Sequence, residues 1–248
     1  ERAAASRSTL VYDFPELFDP LTDRVLAFLS GFRDLTLTRF HVQRSKDRED
    51  PTNPRNSKRM VDIQYQESVH CMAYALFLLL RLGGSSAEAL DGPIRVEAES
   101  TPYAPPNPEV YPQAVDGRCS FRLRLGSIEV EGLTDFKSGA PWVKRRIIRG
   151  IGDGRPFEVE VSYLEGKKAL AFDGRIQPCD PSADSYESVL RTASRWKREH
   201  GADGIRAGVF PNPAFTLTTY QLSAALKRAC DRRREIRFEN RASLDAWE

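Results

Sequence analysis

Asp116, Asp135 and Lys137 are the residues whose types and spacing best suit chemistry. Two carboxylates brought together can hold Mg²⁺ or Mn²⁺, hard ions that take oxygen ligands and keep several waters. A metal held there lowers the pKa of a bound water and stabilises the charge that builds on phosphorus. Lys137 follows Asp135 by two residues, so on a strand it projects from the same face and can position an attacking water or stabilise a transition state.

A hairpin from Asp116 to Lys137 must bring the three together. With Gly126-Ser127 as a two-residue turn, Leu125 pairs with Ile128 and every other cross-strand pair follows. One face then carries Val115, Cys119, Phe121, Leu123, Leu125, Ile128, Val130 and Phe136, a core face. The other pairs Arg124 with Glu129, Arg122 with Glu131, Arg118 with Asp135 and Asp116 with Lys137. A second reading of that face stays open. Opposite charges facing each other on a half-exposed sheet stabilise it by ~0.2–1 kcal/mol per pair, with no catalysis required.

The run from Asp116 to Glu131-Gly-Leu-Thr-Asp135-Phe-Lys137-Ser-Gly139 resembles the core of the PD-(D/E)XK nuclease superfamily, and its Asp-Phe-Lys-Ser-Gly segment is similar to the motif of the RecB-like branch. The resemblance implies a nuclease hydrolysing phosphodiester bonds of DNA or RNA, with Asp116 and Asp135 as metal ligands, Lys137 as the catalytic lysine and Mg²⁺ (or Mn²⁺) as cofactor. It also implies an acid from a preceding helix, for which Glu67 is the candidate, with His70 one turn along. A polar pair on the exposed side of a mostly buried helix has a structural reading as well. The glutamine-and-tyrosine helix usual after the family's lysine has no counterpart here.

The surrounding elements read as a mixed α/β fold, a central mixed sheet built from hairpins and flanked by helices. Leu17 to Phe32 reads as an amphipathic helix, Leu35 to Val42 as a strand, and Met60 to Leu82 as a long, largely buried helix ended by Gly83-Gly84. Pro93 to Glu99 alternates as a strand, and five prolines make Thr101 to Pro112 an extended loop. A second hairpin spans Phe157 to Phe172, and the segment before it, with Lys144, Arg145 and Arg146, reads as a basic connector. Ser182 to His200 reads as a helix stopped by Gly201, Ile205 to Phe210 as a strand, and a last helix runs from about Thr216 to Arg234. The whole is expected to be one domain over 1–248, with a loose leader over 1–8 and a basic tail over 232–248.

A net charge of +2 makes no global demand for a nucleic-acid partner. The local clusters do: Arg44 and Lys46, with Lys144, Arg145 and Arg146, are expected to contact phosphates if the fold brings them together. The bland alternative is a solvated surface loop. Four dispersed cysteines without a CxxC pair give a zinc site no support, and with no secretory signal they suggest a reducing, cytoplasmic setting. No apolar run is long enough to span a bilayer. The alternative to a nuclease is a non-catalytic nucleic-acid-binding or assembly subunit, with a protein partner or a second copy of the chain.

Overall fold

A computed structural model describes residues 14–49, 60–106, 113–137, 143–164, 167–180, 184–208 and 212–247. Alternating apolar residues build nine strands: β1 (Leu35–Ser45), β2 (Ile94–Tyr103), β3 (Val115–Leu125), β4 (Ile128–Asp135), β5 (Val143–Gly152), β6 (Arg155–Leu164), β7 (Lys167–Phe172), β8 (Arg175–Gln177) and β9 (Ile236–Phe238). They form one sheet in the order β8-β7-β6-β5-β1-β4-β3-β2-β9. Neighbours run antiparallel except β1 and β4, which pair in parallel from Arg39↔Glu129 to Ser45↔Asp135. The sheet is therefore mixed and flanked by helices, as the alternation predicts.

The helices are α1 (Pro20–Ser30), α2 (Val69–Leu82), α3 (Gly84–Glu88), α4 (Ser185–Gly208), α5 (Pro213–Arg232) and α6 (Arg241–Asp245). Asp19 caps α1 by accepting from the Leu21 amide, and Asn212 caps α5 by accepting from the Phe215 amide. The helix expected over Met60–Leu82 instead begins with a π turn, Gln64–Ser68, before α2. The apolar load of α2 is spent as expected, with ten of its residues buried from Val69 to Leu79. The strand expected over Ile205–Phe210 is corrected: α4 continues helical to Gly208 across a break at Gly201 (φ +63°). The basic connector is corrected too, since Val143–Gly152 is a full strand between β1 and β6. The strand expected over Leu35–Val42 extends to Ser45 and so includes Arg44; residues 50–59 lie outside the described residues, as does the leader over 1–8.

One sheet face packs under the helices. Along β3 its residues Cys119, Phe121, Leu123 and Leu125 are buried while Arg118, Ser120, Arg122 and Arg124 between them are exposed. The exposed face carries ion pairs: Arg39 with Glu131 (2.6 Å) and Glu129 (3.0 Å), Arg122 with Glu131 (3.3 Å), Arg145 with Glu160 (2.7 Å) and Arg149 with Glu158 (2.7 Å).

The hairpin keeps the predicted register from Leu125↔Ile128 to Arg118↔Asp135 and then departs from it. Opposite β2, Thr101 pairs with Arg118 but Pro102 pairs with Asp116, so Gly117 is one residue too many and the strand bulges. A side chain does not fit there: a Cβ on Gly117 would lie 2.1 Å from Cβ of Tyr103. Past the bulge, Asp116 turns to the helix-covered side of the sheet. Gly117→Ala is therefore expected to lower stability by about 1–3 kcal/mol, as overpacking does, read from urea denaturation midpoints. An unchanged midpoint would mean that the bulge tolerates a Cβ.

Candidate functional site

The three hairpin residues do not form a site. The Asp116 carboxylate accepts from Gln64 Nε2 (2.9 Å) and pairs with Lys227 of α5 (3.3 Å), and its backbone amide donates to Asp62 (2.8 Å). Asp135 stays on the other face, 3.9 Å from Arg118, and accepts from the Lys137 amide (2.7 Å). Lys137 pairs with Glu49 (3.4 Å), sits 5.3 Å over the Tyr103 ring, and its backbone bridges to Asp47 rather than to Asp116. Glu67 is wholly buried and bound elsewhere. Among the described residues no three His, Cys, Asp or Glu side chains group to hold a metal ion. The ligand set expected for Mg²⁺ or Mn²⁺ is thus split across the sheet by the Gly117 bulge.

The residues read as a phosphate-contacting surface converge instead, but inward. In β1 the core phase Phe40, Val42 continues to Arg44, and in β5 the phase of Ile148 continues to Arg146 and Lys144. Arg44 stands opposite Lys144 and Val42 opposite Arg146, so three cations enter the helix-covered layer at one end of the sheet. Lys46 and Arg48 follow on the same chain. Arg145 alone of the expected five points to the exposed face. Two buried carboxylates receive the others. Glu67, in the π turn, takes Arg44 Nε at 2.6 Å, Lys46 at 2.7 Å and Arg48 at 3.7 Å. Glu16, in a 3₁₀ turn over Pro15–Phe18, takes Arg44, Arg146 at 2.6 Å and Lys144 at 4.0 Å. Arg146 also donates to the carbonyls of Gln43 (2.7 Å) and Arg145 (2.9 Å) and stacks 5.4 Å over Tyr74.

Burial alone would raise both carboxyls, but their cationic neighbours outweigh it and hold them below the usual 4.5. For Glu67 the opposing charges are Arg44 and Lys46; for Glu16 they are Arg146, Arg44 and Lys144. Lys46 is pushed down to about 8 by burial, which Glu67 offsets only in part. Lys144 is lowered by burial and by Arg44. His70, on the first turn of α2 and edge-on to Phe14 (5.5 Å), is held well below its usual value by burial and then by Arg44, Lys46, Lys144 and Arg146. It is therefore a neutral imidazole at pH 7, and among the described residues neither ring nitrogen makes a hydrogen bond. A neutral imidazole in the field of these cations can accept a proton from a bound hydroxyl while the lysines hold developing negative charge on oxygen.

Glu16 escaped the sequence reading because nothing local marks it. The inward turn of Arg44, Arg146 and Lys144 had a signal in their phase with Phe40, Val42 and Ile148.

No family model and no curated protein matches this chain. Solved structures do. A myo-inositol dehydrogenase from Corynebacterium glutamicum aligns with a TM-score of 0.61 at 13% identity over 91% of this chain and 63% of its own. A super-repressor mutant of Gal80p from Saccharomyces cerevisiae gives 0.62 at 11% over 99% and 68%. A levoglucosan dehydrogenase in complex with NADH gives 0.59 at 13% over 90% and 64%. The chain thus spans about two thirds of the length of these structures, and at such identity the likeness is one of fold. It corrects the nuclease resemblance and, with it, the nuclease function and the magnesium cofactor: the shared fold is that of dehydrogenases and a repressor relative, not of PD-(D/E)XK nucleases.

Two outcomes follow from the buried cluster. Glu67→Gln leaves buried cations uncompensated and is expected to cost about 3–5 kcal/mol in urea unfolding. Because Glu16 and Glu67 ionise below 4.5 when folded, their stabilisation is complete above that pH and is lost as pH falls through the folded values. Denaturation midpoints should therefore drop below about pH 4.5, with a shallower slope in Glu67→Gln; equal slopes would contradict the assignment.

Proposed function

We propose that this chain forms the substrate-binding part of a nicotinamide-dependent dehydrogenase acting on a polyhydroxylated compound, a sugar or polyol. The observation that carries the reading is His70, kept neutral by burial and by the charges of Arg44, Lys46, Lys144 and Arg146, on a fold shared with dehydrogenases. A dinucleotide does not fit the described residues. Such ligands lie at the carboxyl ends of parallel strands, against a glycine-rich turn that opens a helix. Here β1–β4 is the one parallel pair among the described residues, and the glycine-rich stretch 150–154 is the turn between antiparallel β5 and β6. The part played by this chain is then to bind and orient the substrate. Lys46 and Lys144 donate to substrate oxygens, and His70 takes the proton of the hydroxyl being oxidised. Buried Glu67 and Glu16 fix the directions of Arg44, Lys46 and Arg146 and keep the site from carrying the repulsion of five unshielded cations.

A non-catalytic sensor is the second reading, favoured by the likeness to a repressor that extends over 99% of this chain. The same residues would then bind a ligand without turning it over.

The test uses the protein that carries this chain, assayed with NAD⁺ against a panel of sugars, sugar acids and polyols. Turnover is expected, and His70→Ala should lower kcat by about 10²–10⁴-fold, the usual worth of a general base, with the fold intact by circular dichroism. Ligand-dependent rise in melting temperature without turnover would transfer the assignment to the sensor. Neither binding nor turnover with any member would overturn both.

A further inference from the structure

The charges gathered at this end of the sheet do not cancel, and Lys144 carries the imbalance. Glu67 is used at both oxygens, Oε2 by Arg44 Nε at 2.6 Å and Oε1 by Lys46 at 2.7 Å. Glu16 is used likewise, Oε1 by Arg44 and Oε2 by Arg146 at 2.6 Å. Arg44 is thus shared between the two acids. Lys144 is left over. Among the described residues its one ion pair is to Glu16 Oε1 at 4.0 Å, outside hydrogen-bond distance, and that oxygen already serves Arg44. Leaving Arg48 aside, four cations meet two carboxylates in a layer where charge is poorly screened.

The four cations differ in what they can still reach. The Arg146 side chain has no exposed surface and that of Arg44 only 7%, whereas Lys46 keeps 15% and Lys144 26%. The guanidinium groups are interior struts, and the ammonium groups open outward. Lys144 stands opposite Arg44 in the strand register, on the helix-covered side. Its neighbour Arg145 takes Glu160 on the other face, so that acid gives Lys144 nothing. Burial, and then the Arg44 charge, hold the Lys144 amine below its ordinary value, the direction expected of a cation short of negative charge.

Resting on the dehydrogenase reading above, we propose that Lys144 seats an anionic group of the substrate, a carboxylate or a phosphate, so that the compound bound here is an acidic sugar derivative and not a neutral polyol. A hydroxyl satisfies the hydrogen-bonding capacity of an ammonium group but leaves its charge unmatched. An oxyanion answers both, through a hydrogen bond roughly twice as strong as a neutral one. Lys46 is already tied to Glu67 and offers only its remaining donors. Lys144 is therefore the residue that distinguishes the acidic ligand from the neutral one.

The test uses the protein that carries this chain, assayed with NAD⁺ on matched pairs that differ in one group: hexonates against hexitols, and hexose 6-phosphates against the parent hexoses. In the favoured pair the acidic member is expected to have the higher kcat/KM by about 10–100-fold, the worth of a hydrogen bond to a charged group. Which pair is favoured tells carboxylate from phosphate. Lys144→Met should bring that ratio toward one, and Lys144→Arg should keep most of it. The urea midpoint of ligand-free Lys144→Met should not fall, because this lysine adds repulsion to the folded protein. Inorganic sulfate at low millimolar concentration and constant ionic strength should raise the melting temperature of the unaltered protein but not of Lys144→Met, which reads the anion seat without turnover. Neutral members turned over as well as acidic ones, or a ratio unchanged in Lys144→Met, would overturn the anion seat and leave the dehydrogenase reading standing. A sulfate shift that depends on Lys144, with no turnover of any compound, would overturn the dehydrogenase reading and keep the anion seat. Neither shift nor turnover would overturn both. The ratio in the unaltered protein decides even if Lys144→Met fails to fold.

Discussion

Glu67 has no exposed surface, and a carboxylate so placed keeps its charge only while cations stay within contact. Arg44 and Lys46 provide that contact from β1, and Glu16 takes the far side of the Arg44 guanidinium. Much of the architecture at this end of the sheet follows from the arrangement. The π turn widens the helical backbone where Glu67 must reach down to β1. Ser68 in that turn bonds Thr134 of β4 (2.8 Å), so the turn is anchored to both partners of the parallel strand pair. Arg146 crosses from β5 to Glu16 and holds the 3₁₀ turn before α1 against the sheet. Charge balance adds to the apolar burial of Leu17, Phe40, Val42 and Ile148 in setting the relative positions of these pieces.

The same interaction explains the character of His70. Burial and the charges of four cations all push it in the same direction. An imidazole in such surroundings is a poor cation and a serviceable acceptor.

Hairpin register was legible in the sequence because its determinants are local: alternation along β3 and β4 and a glycine turn at Gly126. The bulge was not, because the reason for Gly117 is the Tyr103 side chain on another strand, fourteen residues back in sequence with prolines between. Arg44, Lys144 and Arg146 sat in phase with core residues. Arginine and lysine are so seldom buried that phase was outweighed by residue type. Only partners from elsewhere in the chain, Glu16 and Glu67, make that burial tolerable, and long-range pairing leaves no local mark. β5 looked like a connector for the same reason: Lys144 and Arg146 take inward positions where a strand is normally apolar.

The Gly117 bulge has a wider meaning for how charged motifs are read on strands. Whether two residues of a hairpin can cooperate depends on whether an even or odd number of positions separates each from the turn, and one inserted residue reverses that parity for everything beyond it. Asp116 and Asp135 are therefore neighbours in pattern but strangers in space, assigned to opposite sides of one sheet. Asp116 answers to the π turn and α5, Asp135 to Arg118 on the open face, so a change at either would be felt by a different set of partners.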